Sequence, residues 1–498
     1  MSNLLDKVIE YFSPATAVER EAMRQQLRYY QAGEVNRFNG TWVPTQDYDQ
    51  ENADKGERNL VKARARWLER NSDVANAAIT AITRNVVGIG IKPQARTGNE
   101  DINNRIEEAF RRWCRPKRCD IREQQSFVEL QKMILQRVIV DGEILVKLVT
   151  TEDKDSPLKL QAIRSDLLDS VLSSNPVTGK VIRSGIELDE SLKPLAYWIE
   201  QKTPDGYVVL DSKRVPANEL LHIWDPLYPD QIRGISKLGV SVKRIKDLDE
   251  YLDAETVAAK IAACFSIIIT KPNLGVGVAK LNKKAGGLRD AEGKPISRVR
   301  PGMILQGEDG STVTPASPGR SATTASEFTN IHQRLIGSGQ GLSYEILSRD
   351  FNKSSYSAAR QGNLEDQKTF QPIQNWMIEH FCIPVYEAWL DRAVLTGEIV
   401  IPDYETNRER YVRADWIAPG WQSIDPHAEI QADVISMQNG TLTLAQQCAA
   451  HGYDWQEQLN QIAREKEFAE RLGLTLNIHT PESVQAAESN HNGGKTDE

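Results

Sequence analysis

The sequence predicts an α+β fold in which strands gather in one part of the chain and long helices in another. Three observations carry this expectation. Short β-branched runs with alternating polarity cluster between Gly142 and Trp224, the period-two pattern of half-buried strands. From Leu238 to Phe265 apolar residues recur at helical spacing, over a length of roughly 40 Å at 1.5 Å per residue. From Phe328 to Glu398 the chain reads as helix, short break, then a longer helix.

A chain of 498 residues with 40% hydrophobic and 26% charged residues can bury one large core or two to three smaller ones. The net charge of −8 argues against a surface that grips DNA everywhere, because sequence-independent binding needs Lys and Arg to neutralise phosphates. The five cysteines are odd in number and scattered, and Cys114 and Cys119 lie in a basic segment with no histidine beside them. A reducing, cytoplasmic compartment is expected. Met1 to Thr16 mixes charges into its apolar positions, so no signal peptide is expected. The longest apolar run, Ile261 to Ile269, contains Ser266 and is about half the length that crosses a bilayer. No membrane span is predicted.

In chain order, residues 1–57 are polar and read as an arm. A helix is predicted from Arg58 to Arg70, and Asn71 or Ser72 caps a second through Val86, ended by Gly88 and Gly90. Arg64, Arg66, Arg70 and Arg84 could touch phosphate, but such dispersed arginines read better as a solvated or intersubunit face. Arg111 to Cys119 is the densest basic cluster and holds Trp113; ordinary surface is the leading reading and a nucleic-acid patch the alternative. A helix is predicted next, from Phe127 to Val140. Strands are predicted at 144–149, 158–163, 181–187, 195–200, 207–210 and 220–224, with turn signals at Asn175-Pro and Asp205-Gly. His222 reads as a packed or hydrogen-bonded strand residue, since no second metal ligand sits nearby.

Arg233-Gly-Ile-Ser236 leads into the long helix, on which Leu238, Val242, Ile245, Leu248 and Leu252 form one stripe. After it comes an insertion rich in Gly, Pro, Lys and Arg, with strand-like pieces at 267–269 and 302–305. The next helix carries Phe328, Ile331, Leu335 and Ile336 on one face, and Gly337, Gly339 and Gly341 are expected to end it. A loop from Leu342 to Lys353 mixes apolar and charged residues, with Asn352 or Ser354 as the N-cap of the longer helix. On that helix Ile373, Met377, Phe381, Val385 and Trp389 fall at four-residue steps, a stripe suited to a large partner surface, and Pro372 and Pro384 predict kinks. Short helices are predicted at 428–439, 443–449 and 455–472, with Gly440 as a C-cap, and a polar tail beyond Ile478.

No chemistry-bearing motif emerges. The chain has no Gly-x4-Gly-Lys-Ser/Thr phosphate loop, no His-Glu-x-x-His and no Gly-x-Ser-x-Gly. Gly337-Ser-Gly-Gln-Gly341 comes after a helix and has no lysine behind it, unlike a nucleotide loop. The seven histidines are dispersed, and carboxylates such as Asp247 and Asp249 fall on an exposed helix face. No catalytic residue, metal ligand or cofactor is assigned.

The stretch Gly341-Leu-Ser-Tyr-Glu-Ile-Leu-Ser-Arg-Asp-Phe-Asn-Lys-Ser-Ser-Tyr-Ser-Ala-Ala-Arg360 resembles the portal proteins of tailed bacteriophages, lambda family. Trp113 with Cys119-Asp120, and the pair Trp416 and Trp421 before Asp425-Pro426, resemble the family at matching places, so the likeness covers roughly Arg58 to Leu472. It departs at Tyr356-Ser-Ala-Ala-Arg360, where relatives often carry a second serine, and at Asp425-Pro-His-Ala, which lacks a lysine common in relatives. The resemblance implies a portal fold: arm 1–57, mixed α/β wing 58–235, stem helices 236–266 and 325–341, a β-containing clip 267–324, tunnel loop 342–353, a long kinked helix and connection 354–427, a helical crown 428–475 and a tail 476–498. It implies a homo-oligomeric ring, usually a dodecamer, at one capsid vertex of the virion, assembled in the host cytoplasm. Double-stranded DNA would pass through the ring transiently and without sequence preference. The implied DNA-channel residues are Tyr344, Glu345, Arg349, Asp350 and Lys353. The implied motor- and adaptor-binding residues are Lys280, Lys283, Lys284, Arg289 and Lys294. Implied partners are the terminase large subunit, the major capsid protein and scaffold, and head–tail adaptor proteins. The rival readings are a phage DNA-processing nuclease and a monomeric head-completion adaptor.

Overall fold

The computed structural model describes residues 49–203, 205, 208–264, 268–270, 312–314, 322–351, 355–421 and 426–474. The chain divides into two compact units, residues 1–56 and 57–498. The described part of the first is a short helix, Gln50–Lys55, opened by the Asp49 carboxylate accepting from the Glu51 N–H. The remaining elements belong to the second unit.

Helices α1 (Arg58–Asn71) and α2 (Asp73–Val86) meet at Ser72, whose hydroxyl accepts from the Ala75 N–H. Ser72 is one of the two caps expected, and it satisfies one of the orphan donors at the start of α2. Next in the chain are strand β1 (Lys92–Ala95) and helix α3 (Glu100–Trp113), the helix started by Asn99 and burying Ile106, Ala109, Phe110 and Trp113. Helix α4 (Phe127–Asp141) begins with a reciprocal Ser126–Glu129 capping box and ends at Gly142, where φ is +89°. A side chain at Gly142 would collide with the backbone of Ile235, so the glycine allows two segments to touch.

Strands β2 (Glu143–Thr150), β3 (Leu158–Ile163), β4 (Ile182–Arg183), β5 (Ile186–Leu188), β6 (Pro194–Lys202), β7 (Val208–Pro216) and β8 (Leu220–Trp224) form two antiparallel sheets, ordered β3-β2-β8 and β4-β5-β6-β7. The single strand expected over 181–187 is instead a hairpin. Ser184 at φ +49° and Gly185 at φ +85° fold it back, the positive-φ pair that two-residue turns require. Leu145, Ile186, Tyr197, Ile199, Val215 and Leu220 pack between the sheets as a small second core.

Helix α5 (Gly239–Cys264) runs out to β9 (Ile268–Thr270), which pairs antiparallel with β10 (Thr312–Thr314) before α6 (Ala322–Gln340) returns. The strand-like piece at 302–305 lies outside the described residues. The two helices are antiparallel, with Tyr251 on Phe328 at 4.2 Å and Phe328 on His332 at 3.9 Å. Leu238, Ile245, Leu248 and Ile336 bury the base of the pair. Contrary to expectation, Gly337 and Gly339 lie inside α6, and only Gly341, at φ +69°, stops it. A Cβ on Gly339 would come within 3.0 Å of the Ser241 hydroxyl, and one on Gly337 within 2.7 Å of the Leu342 carbonyl oxygen. Close approach of the neighbouring segments, rather than helix breaking, explains these two glycines.

Helices α7 (Tyr344–Ser348) and α8 (Tyr356–Met377), a π-helical turn (Ile378–Cys382) and α9 (Ile383–Leu395) follow. The cap of α8 is Ser355, which accepts from the Ala358 N–H, not Asn352 or Ser354, which lie outside the described residues. Pro372 sits within α8, while Pro384 falls in the first turn of α9, just after the π turn. Pro384 has no N–H to offer the continuous helix, and the change to wider π turns lies immediately before it.

The stripe Met377, Phe381, Val385 and Trp389 is wholly buried within this chain, so the partner surface expected for it is the chain's own core. Phe110 meets the Trp389 ring edge to face at 4.9 Å, and Phe127 stacks on Phe381 at 5.5 Å. Helix α10 (Tyr404–Tyr411) leads to β11 (Ala414–Ile417), which pairs with β1. Helices α11 (Pro426–Gln438), α12 (Leu444–Ala450) and α13 (Trp455–Arg471) close the described chain, with Gly440 at φ +71° after α11.

Candidate functional site

The loop after α6 is fastened, not open. Gly341 turns the chain, and the Leu342 N–H returns to the Gly337 carbonyl at 2.8 Å. Ser343 then caps α7 by accepting from the Ile346 N–H, and its own N–H and hydroxyl donate to the two Asp366 carboxylate oxygens at 2.7 and 2.5 Å. Burial pushes the Asp366 carboxyl up, and the two Ser343 hydrogen bonds only partly offset this. Leu347 is buried in the main core.

The predicted channel residues divide around this turn. Tyr344 points back to α6, donating to Asn330 at 3.1 Å with Arg334 over its ring at 5.3 Å. Glu345 is half-buried, its carboxylate close to where a Cβ on Gly362 would sit, 3.8 Å away. Arg349 adopts a left-handed φ of +56°, closes α7 through its N–H to the Glu345 carbonyl, and is exposed. Asp350 is half-buried and its N–H donates to the Ser348 hydroxyl. Phe351 is 59% exposed. Lys353 lies outside the described residues, as do Lys280, Lys283, Lys284, Arg289 and Lys294.

A second arrangement anchors the helix pair that carries this loop. Arg233 grips Glu143, donating from Nε to the two carboxylate oxygens at 2.8 and 3.0 Å and from Nη2 at 2.6 Å. Its remaining donors reach the Ser184 and Ser165 carbonyls at 2.6 and 3.1 Å. Glu143 also accepts from the Gly234 N–H at 3.0 Å and contacts His222 Nε2 at 3.0 Å, while Lys62 Nζ stands 3.8 Å away. Burial would raise the Glu143 carboxyl, but Arg233 and His222 more than reverse this and hold it well below the usual carboxylate range. An ionised Glu143 can only accept, so His222 carries its proton on Nε2. Burial lowers His222, outweighing the hydrogen bond to Glu143. Beside this cluster, Arg66 makes a two-armed pair with Asp141 at 2.7 and 2.8 Å and bonds Asp166 at 2.7 Å. Sheet β3-β2-β8, helices α1 and α4 and the segment that leads into α5 thus share one charged joint. Sequence reading singled out Arg233-Gly234 and His222 but not Glu143, which is 90 residues from Arg233.

The basic segment 111–119 is largely paired: Arg111 with Glu457, Arg112 with Glu398 and Arg118 with Asp155. Trp113 is fully buried, its indole donating to the Leu158 carbonyl at 2.7 Å. This favours the ordinary-surface reading. Among the described residues no three His, Cys, Asp or Glu side chains could together hold a metal ion, and no helix is long and apolar enough to cross a membrane.

The chain belongs to the phage portal protein family, lambda family, whose model matches residues 36–374. Relatives agree over nearly the whole length. The chain is 26% identical over 463 residues to a probable portal protein of Halomonas phage phiHAP-1, covering 90% of this chain and 88% of that one. It is 24% identical over 456 residues to portal protein B of Escherichia phage lambda, covering 83% and 84%. Among solved structures, the neck of a native gene transfer agent particle computed with C12 symmetry aligns at 14% identity over 78% of this chain and 93% of that one, with a TM-score of 0.43. An HK97 family portal protein from Corynebacterium diphtheriae aligns at 12% identity, covering 76% and 96%, with a TM-score of 0.31.

Proposed function

We propose that copies of this chain form a ring at one capsid vertex of a tailed phage, through which double-stranded DNA is packaged and ejected and to which the tail connector attaches. Family membership carries the reading, and one feature of the chain supports the ring in particular. Helices α5 and α6 leave Val240, Val257, Ile331 and Leu335 exposed by 77, 54, 53 and 45%, apolar surface that a neighbouring copy would cover. The stripe through Trp389, already buried internally, makes no contribution to that surface.

On this reading residues 342–353 face the channel and present Arg349 and Lys353 to phosphates, while 267–324 dock the terminase large subunit and later the head–tail adaptors. Capsid protein and scaffold would contact the outer part of the ring. The role is structural, with no catalytic residue, and the place of work is the virion. Family membership does not favour the nuclease or the monomeric adaptor. Size-exclusion chromatography with light scattering tests the ring: a species near a dozen times 55.9 kDa is expected, and a monomer at all concentrations would overturn it.

A further inference from the structure

The two small sheets pack together at one end and part at the other. Leu145, Tyr197, Val215 and Leu220 fill the closed end. Two positions along, on the same faces, β2 carries Lys147 and β7 carries Lys213, cross-strand partners of Gln161 and Ile199. Side chains alternate across a strand, so Lys147 shares a face with Leu145 and Lys213 with Val215. Lysine therefore occupies two positions where the pattern calls for core. Between the sheets at this mouth lies a cavity of about 380 Å³, to which Arg122 and Arg164 add further cations and Ile163, Leu167 and Ile199 an apolar floor.

The charge here is unbalanced. Glu200 is the single carboxylate in the lining. Arg164 is paired with Asp166 at 3.0 Å, but Arg122, Lys147 and Lys213 have no ion pair among the described residues. Gathering like charges beside an apolar floor costs desolvation and repulsion that a bound anion would convert to attraction.

We propose that this mouth is a docking groove for an extended acidic segment of a partner protein, with carboxylates on Arg122, Lys147 and Lys213 and an apolar side chain between them on Ile163 and Ile199. A nucleic acid fits less well, because a phosphate backbone has no apolar side chain for that floor. The groove would serve this purpose whether or not the ring reading holds.

The test uses the full chain and a short fluorescein-labelled peptide of alternating glutamate and leucine, observed by anisotropy. Saturable binding is expected that weakens with salt, is absent for a glutamine–leucine peptide, and falls about tenfold in the double variant Arg122→Glu/Lys213→Glu. Both residues are exposed, so the variant should melt like the parent; if it does not, Arg122→Gln/Lys213→Gln takes its place. No binding, equal binding of the glutamine peptide, or unchanged affinity in the variant that folds would overturn the proposal. So would a labelled DNA duplex that binds as tightly as the acidic peptide and is lost in the same variant.

Discussion

Arg233 holds Glu143 through two nitrogens at 2.6 and 2.8 Å, although 90 residues separate them and their side chains are only 5% and 0% exposed. A pair this buried stabilises little over a well-packed apolar substitute, yet losing one partner strands the other charge. It makes the joint at the base of α5 sensitive to single changes.

Replacing Arg233 with Met should therefore lower the unfolding free energy by about 3–5 kcal/mol. The double change Arg233→Met/Glu143→Leu should recover a large part of that loss. Calorimetric melting of both variants checks the pairing, and a double variant no better than the single would contradict it.

The same joint sets an acid limit. His222 has a folded pKa below its ordinary 6.5, so its contribution is full above pH 6.5 and declines as pH falls below that value, because the unfolded chain takes up the proton more readily. Glu143, held well below 4.5, adds a second loss as pH drops under 4.5. In His222→Gln the first of these slopes should vanish while the second remains, as read from melting temperature against pH.

Ser343→Ala removes a helix cap and leaves the buried Asp366 with a lost partner. A loss of about 1–2 kcal/mol is expected, concentrated locally. Hydrogen exchange at the amides of 346–349 should quicken well before the main core responds, and uniform quickening would argue against a locally fastened loop.

Arg349→Glu with Lys353→Glu should leave ring assembly intact and impair DNA retention or packaging, with an effect that shrinks as salt rises. Normal packaging in intact rings would show that this loop does not handle DNA through those charges. Tyr344→Phe, which loses only the bond to Asn330, should package normally.

Deleting Gly275 to Gly293 should abolish binding of the terminase large subunit while rings still form. The β9–β10 pairing lies outside the deletion, so α5 and α6 can still meet. Unchanged motor binding would dismiss this segment as the docking site.

Much of the fold was legible because local signals agreed with tertiary need. Ser72 caps α2 as expected, and 158–163 and 220–224 are strands to the residue. Helix α3 was read only as a helix end at Trp113 implied by the resemblance, although Asn99, two acidic residues in its first turn and the spacing of Ile106, Phe110 and Trp113 announce it. Strands β1 and β11 carry little signal of their own: Lys-Pro-Gln-Ala and Ala-Asp-Trp-Ile have no clear alternation, and their pairing across more than three hundred positions fixes them. Gly337 and Gly339 misled because a glycine that admits a neighbour looks in sequence like one that ends a helix. The candidate loop was located by its wording, but its fastening through Asp366, on another helix, left no local trace.

Thr270 and Thr312 are Cα partners across β9 and β10, so the chain departs and comes back through a single doorway. Whatever occupies residues 271–311 can then be exchanged for a cassette of different length without disturbing the helices behind it, since each doubling of a flexible excursion adds only about 0.6 kcal/mol of closure cost. A lineage can in this way refit that excursion while inheriting the rest unchanged; on the function proposed above, the refit would be to a new motor or tail.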